Sequence, residues 1–355
     1  MMSPAIFDEW ATFCKKYDWD EDKVKAAGID KPKRLTYCNA HNGLLFPTTI
    51  PESKPLQSRA AFAEKVAALV KRREELNSDI FALQEVSEEG AVASIFPPTK
   101  WHIIASKADI SQNIAFAIRK DSGIKIISSK QIDELAQEDE GGRRVRPGLQ
   151  LIVEVNGKRL ALLNVHLKAA CRGQPISEPT RPGYADNKRW REIQQGCSVM
   201  RKQVPHLENW IETQARAKML FMILGDWNRD FKRDLPLPAR LDSDESPQLP
   251  LTAATRIGSM LKEISDNEPE GAWVGLIAQS LKARKKEMKG PDQKSAEKVC
   301  HQGIDHFAIS DSILKLLAID RKSLKATGSD YGDEAYGIDK AMPSDHCPIT
   351  LRLPF

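Results

Sequence analysis

Several apolar, strand-like runs in this chain end in a residue able to bind a cation or move a proton. They end at Asn39, Glu85, His166, Asp226 with Asn228, Asp305, and the pair Asp345-His346. A carboxylate at the end of a buried strand is costly to desolvate, so it must reach water, a partner or a metal. One such residue is readily a cap or a surface group. A whole set of them at the same kind of position points to shared chemistry.

Phosphodiester cleavage needs these residue types. A hard divalent cation such as Mg²⁺ takes oxygen ligands, commonly one or two carboxylates together with water and phosphate oxygen. Glu85 is the natural principal ligand, and Asp345 could join it directly or through water. A nucleophilic water must be positioned and deprotonated, which suits Asp226 with Asn228 two residues on. His346 can donate to a phosphate oxygen, and Asp305 could orient its ring and favour the charged form.

These residues need strands to present them. Residues 101–105, 113–119, 124–128, 149–155, 160–166, 219–224, 303–309 and 349–353 carry strand patterns, as do 34–39 and 79–86. Asn156-Gly157, between two of these runs, favours a tight hairpin turn. Apolar residues recur at helical spacing over 59–77, and a long helical stretch covers about 186–216, broken or kinked near Pro205. Residues 1–33 form a helical N-terminal extension, and the main domain covers 34–355. Two stretches look like insertions: 130–148, acidic and then Arg-rich, and about 232–299. Strands outnumber helices and hairpins mix with helix-joined pairs, so an α/β sandwich of two mixed sheets, with helices outside, is expected.

Bulk composition narrows little. The 355 residues are 41% hydrophobic and 29% charged, with a net charge of +4. These are globular values that do not by themselves imply nucleic-acid binding. The longest apolar run, 219–224, is far short of the roughly 18 residues a membrane span needs. Acidic residues within the first 23 positions leave no secretory signal, so cytoplasmic residence is the default expectation, with no membrane partner. The six cysteines make no Cys-x-x-Cys zinc pattern, and Cys38 and Cys347 are expected as inert core thiols.

The motifs, taken together, resemble the endonuclease/exonuclease/phosphatase superfamily. The matching pieces are Tyr37-Cys38-Asn39-Ala40-His41-Asn42, Leu83-Gln84-Glu85, Asn164-Val165-His166-Leu167, Gly225-Asp226-Trp227-Asn228, Ile304-Asp305-His306 and Ser344-Asp345-His346-Cys347-Pro348-Ile349. They occur in the family's order over residues 34–355. Each is weak alone; six in order are not. Trp227 stands where Phe is more usual.

The resemblance implies a DNase-I-like, four-layer α/β sandwich. It places Asn39 and Glu85 at the metal, with Asp345 supporting them, and His166 at the scissile phosphate. Asp226 then handles the nucleophile, Asn228 holds it and the transition state, and Asp305 with His346 forms a dyad at the phosphate. His306 is expected to face away from the site. The implied cofactor is Mg²⁺, with Mn²⁺ or Ca²⁺ as alternatives. The stretch from His166 to Arg172 resembles a bacterial nuclease-type branch in which a cysteine follows His-Leu-Lys. Cys197 is then a partner for Cys171, two free thiols being the cytosolic alternative; a bridge would leave secretion open. Lys168 and Arg172 are placed along a substrate groove, and Arg146 stands where relatives often carry a phosphate-contacting arginine.

The expected activity is that of a metal-dependent nuclease, on DNA before RNA, monomeric by default. Residues 282–298 hold six Lys and one Arg against two Glu and one Asp, and a basic segment attracts a phosphate backbone without regard to sequence. A solubilising helix accounts for it equally well. A phosphatase or phosphodiesterase acting on an inositol, a lipid or another small phosphate ester is the alternative. The third reading is an inactive scaffold that binds nucleic acid or a partner protein.

Overall fold

The computed structural model describes residues 2–29, 31–38, 57–142, 144–177, 187–239, 257–282, 303–329 and 346–355. The chain divides into two compact units. The first comprises Met1–Ser122, Gln279–Gln302 and Lys325–Arg352; the second comprises Gly123–Ala278, Gly303–Leu324 and Leu353–Phe355. Helices and strands interleave through both, the α/β class the sequence implies.

The first unit begins with helices α1 (Pro4–Lys15) and α2 (Glu21–Ala26). Ser3 caps α1 by accepting from the Ile6 N–H, and Pro4 sits in the first turn, where its missing N–H costs nothing. The apolar face of α1 (Ile6, Phe7, Trp10, Cys14) packs with Leu35, Cys38 and Phe62. Phe62 belongs to α3 (Arg59–Leu76), which Ser58 caps and Asn77 ends in a left-handed conformation. Strands β1 (Ile80–Val86), β2 (Trp101–Ala105) and β3 (Asn113–Arg119) make an antiparallel sheet in the order β1-β3-β2, with α4 (Glu89–Ala93) between β1 and β2. Strands β9 (Ala278–Lys282), β11 (Lys325–Ser329) and β12 (Ile349–Thr350) make a second small sheet.

Two expectations fail here. Residues 34–38 form no strand. Their backbone is captured by α2 and the chain after it. The buried Glu21 carboxylate accepts the Cys38 N–H at 2.7 Å, and Lys31 Nζ donates to the Thr36 carbonyl at 2.9 Å and to Glu21 at 3.0 Å. Nor are Cys38 and Cys347 inert thiols. Cys38 is bridged to Cys14, and Cys347 is also disulfide-bonded. Apolar surroundings around a cysteine are shared by buried thiols and buried bridges, so the pattern does not separate them.

The second unit is built on a six-stranded sheet. Its strands are β4 (Lys125–Ile132), β5 (Gly148–Val155), β6 (Lys158–His166), β7 (Leu220–Asp226), β10 (Asp305–Ser310) and β8 (Val274–Leu276), in that order across the sheet. β6 and β7 run parallel, joined by α5 (Asn187–Arg216); the other pairings are antiparallel. Asn156 and Gly157 both have positive φ, as the turn between β5 and β6 requires. α5 runs through Pro205 as one helix, which rules out a break there, one of the two expected alternatives. Its apolar face (Met200, Val204, Leu207, Trp210, Ile211) covers Ala161, Leu163, Phe221 and Ile223 of the sheet.

The expected insertions are more structured than their composition suggests. Residues 125–132 extend β4 well past 128. In the other, α6 (Phe231–Asp234) and α7 (Met260–Ile264) sit with β8 in the unit, and Ile257, Met260, Ile264 and Val274 belong to its core. The basic stretch from 283 to 298 lies outside the described residues.

Candidate active site

The sheet register of the second unit brings three of the polar strand ends side by side. His166, the last residue of β6, pairs in register with Asp226, the last of β7, and Asp226 pairs with Asp305, the first of β10. Each closes or opens an apolar run, so the strand cores are dry while these side chains sit at one edge. His166 Nε2 lies 3.3 Å from Asp226 Oδ2 and 2.9 Å from Arg146 Nη2. A guanidinium has only donors and a carboxylate only acceptors, so Nε2 sits between a group that can donate to it and one that can accept from it.

Asn228 completes the group. It follows β7 in a left-handed conformation (φ 49°), tolerated by Asn but uncommon otherwise. Its N–H donates to Asp226 Oδ1 at 2.7 Å, and its Nδ2 donates to Asp226 Oδ2 at 3.1 Å and to the Leu167 carbonyl at 2.9 Å. The turn thus folds back on its own carboxylate and ties β7 to the chain leaving β6.

That chain is held from below. The Lys168 N–H donates to Gln203 Oε1 on α5, and Gln203 Nε2 donates to the Leu135 carbonyl. Cys171 is bridged to Cys197 of α5, and a Cβ on Gly196 would come within 2.4 Å of the Ala169 carbonyl oxygen, so helix and loop touch there. Ala170 and Arg172 have positive φ. Lys168 Nζ stands 3.9 Å from Asp139 Oδ2, and Arg172 is exposed.

Asp226 and Asp305 offer carboxylate oxygens within 4.8 Å of each other. Like charges facing each other across a ladder repel, and a cation nearby relieves this. The donors are hard oxygens, which fits Mg²⁺, Mn²⁺ or Ca²⁺ and not a thiophilic ion.

Glu85 and His346 belong to the first unit. Glu85 sits where the β1–β3 register shifts, between Leu83 and Val86, and its φ is +56°. A non-glycine residue in that conformation at a bulge is the kind of local strain that collects at functional positions. Gln112 Nε2, just before β3, donates to Glu85 Oε1 at 2.7 Å and orients the carboxylate. His346 is half-buried, ahead of β12. Asn39 and Asp345 lie outside the described residues.

Sequence reasoning passed over Gln112, Gln203 and a buried Arg229–Asp234 pair, because nothing in a lone polar residue marks a tertiary partner. His306 faces away as expected. It is buried, with Nε2 3.0 Å from the Gly303 carbonyl and 3.2 Å from that of Arg229. Burial pushes its pKa below the ordinary 6.5, against the pull of those carbonyls. The unfolded chain takes up a proton near 6.5 that the folded one resists, so stability is full above that value and is lost as pH falls through it. The urea midpoint is expected to drop between about pH 7.5 and about pH 5.5, and to drop less in His306→Gln, whose amide still donates to a carbonyl. An equal drop in both proteins would show that His306 is not the group responsible.

No protein-family model matches the sequence. No curated protein matches it. Solved structures similar to this chain include an endonuclease/exonuclease/phosphatase family protein from Leptotrichia buccalis (13% identity, 84% of this chain and 95% of that chain, TM-score 0.44). Caenorhabditis elegans TDP2 is another (13%, 98% and 92%, TM-score 0.46). The human Nocturnin catalytic domain with bound sulfate anion is a third (14%, 82% and 87%, TM-score 0.43). All three likenesses are distant.

Proposed function

We propose that this chain is a metal-dependent phosphodiesterase that hydrolyses nucleic-acid phosphodiester bonds, DNA before RNA. The observation that carries the reading is the Arg146–His166–Asp226–Asn228 group at three aligned strand ends, with Asp305 beside it. Glu85, with Asn39 and Asp345, would hold the cation. When bound, a divalent cation offsets charge growing on the phosphate and its leaving oxygen.

The side chains have separate work. Arg146 and His166 hold the scissile phosphate, the planar guanidinium matching two phosphate oxygens. Asp226 accepts the proton of the attacking water, and Asn228 keeps that carboxylate aimed. Asp305 with His346 supplies the proton the departing oxygen needs. Lys168 and Arg172 extend the positive surface along the strand, where contacts position the substrate without reading bases.

The two bridges among the described residues, Cys14–Cys38 and Cys171–Cys197, favour an oxidising compartment over the cytoplasmic default. No helix among the described residues is long and apolar enough to cross a membrane.

The test is incubation with plasmid, single-stranded DNA, RNA and a phosphoinositide, each with Mg²⁺ and with EDTA. Nicked or degraded DNA that appears only with metal is expected. Phosphate release from the inositol headgroup alone would replace the nuclease reading by a phosphatase. Retention of DNA on a gel with no turnover of any substrate would leave only a binding scaffold.

A further inference from the structure

Immediately after Asn228 the chain buries a charge. Arg229 and Asp234 are both 0% exposed. Arg229 Nε donates to Asp234 Oδ1 at 2.7 Å, and Nη2 makes a second contact with the same oxygen. Asp234 also accepts from Ser259 Oγ at 2.7 Å and from the Met260 and Leu261 N–H groups at 3.0 Å each. Arg229 Nη1 reaches Cys171 Sγ at 3.7 Å, and the Arg229 carbonyl faces His306 Nε2. The guanidinium therefore joins Asp234 to the bridged loop after β6, Asp234 in turn holds the start of α7, and the Arg229 carbonyl meets the residue beside Asp305.

Such a pair is poor glue. Desolvating two charges costs several kcal/mol, and apolar residues of similar size are often no less stabilising. Burial pushes the Arg229 guanidinium down, and Asp234 opposes it. What an ion pair supplies that an apolar pair does not is fixed direction: a planar fork meeting a carboxylate in one geometry.

We infer that Arg229 and Asp234 are positioning residues that hold the Asp226–Asn228 turn and the loop after His166 in the arrangement the reaction needs. This rests on the phosphodiesterase reading. Neither residue touches substrate; each acts through Asp226, Asn228 and His166.

The test is the double variant Arg229→Met/Asp234→Asn, which removes both charges and keeps an acceptor for Ser259 and Leu261. It is expected to fold, with kcat at least about tenfold lower and KM within about threefold of the parent, since a small misplacement of reacting groups acts on turnover. In metal-free protein, amide hydrogen exchange over residues 226–231 is expected to speed up at least about tenfold. Parent-like kcat and exchange in the folded variant overturn the inference. If the double variant does not fold, Arg229→Lys decides. It keeps the charge and loses the fork, so lower kcat with faster exchange supports positioning and parent-like values overturn it. A parent protein with no metal-dependent cleavage would refute the phosphodiesterase reading, while the exchange measurement would still decide whether the pair holds the turn.

Discussion

An Asp226→Asn protein is expected to stay folded and to turn over nucleic acid at least about 100-fold more slowly than the parent, with little change in KM. The substitution keeps shape and removes charge. Asp226 accepts from two donors of Asn228 and lies 3.3 Å from His166 Nε2, so it is surrounded by groups that expect an anion. An amide turns an NH₂ toward one of those donors and forfeits a hydrogen bond, a net loss of about 1 kcal/mol. That is too small to unfold a protein with a core of this size. It also leaves most molecules competent to bind, so a 100-fold fall at saturating substrate belongs to the chemical step. In the proposed role the carboxylate takes a proton from water as the oxygen attacks, and an amide cannot. The measurement is steady-state kinetics on the preferred nucleic acid beside a thermal melt. Turnover within about threefold of the parent, in folded protein, would remove Asp226 from the chemistry.

How much of this was legible in the sequence depends on the range of the forces involved. β2 and β3 were readable to the residue, because an apolar strand bounded by turn residues is a local signal. So was the turn at Asn156-Gly157, where both residues need positive φ. His166, Asp226 and Asp305 stood out as polar residues at the edges of apolar runs, yet only the sheet register shows that they are neighbours. The largely exposed stretch Ser129 to Gln131 did not look like strand, since β4 is an edge strand whose outer face meets water. Residues 34–38 looked like strand and are not. Their backbone is claimed by Glu21 and Lys31, a competition no local pattern encodes. The Arg229–Asp234 pair and Gln112 were illegible for the same reason, each defined by a partner rather than by its own neighbours. Glu85 was readable as a strand-end carboxylate, but its left-handed backbone at a bulge was not.

Losing the Cys171–Cys197 bridge should cost the second largest amount. The two cysteines are 26 residues apart, and closing a loop of that size in the unfolded chain is worth about 3 to 4 kcal/mol in the chain-entropy account. A Cys171→Ser/Cys197→Ser protein is therefore expected to melt about 5 °C lower. Activity should fall as well, and for a separate reason. The bridge lies in the core against α5, beside the close approach of Gly196 to Ala169, and Arg229 contacts its sulfur. The loop it holds carries Lys168 and Arg172 and gives Asn228 the Leu167 carbonyl. Without the tether, positive φ at Ala170 and Arg172 is no longer enforced, and the backbone relaxes toward ordinary conformations. Below the melting transition, the double-serine protein should thus cleave more slowly than the parent at equal folded fraction. Non-reducing peptide mapping should first recover Cys171 and Cys197 in one linked peptide. Separate peptides, or a double-serine protein that melts and cleaves like the parent, would show that the loop after His166 holds its shape unaided. Position would then be set by Gln203 and the Arg229 fork, with the bridge a bystander.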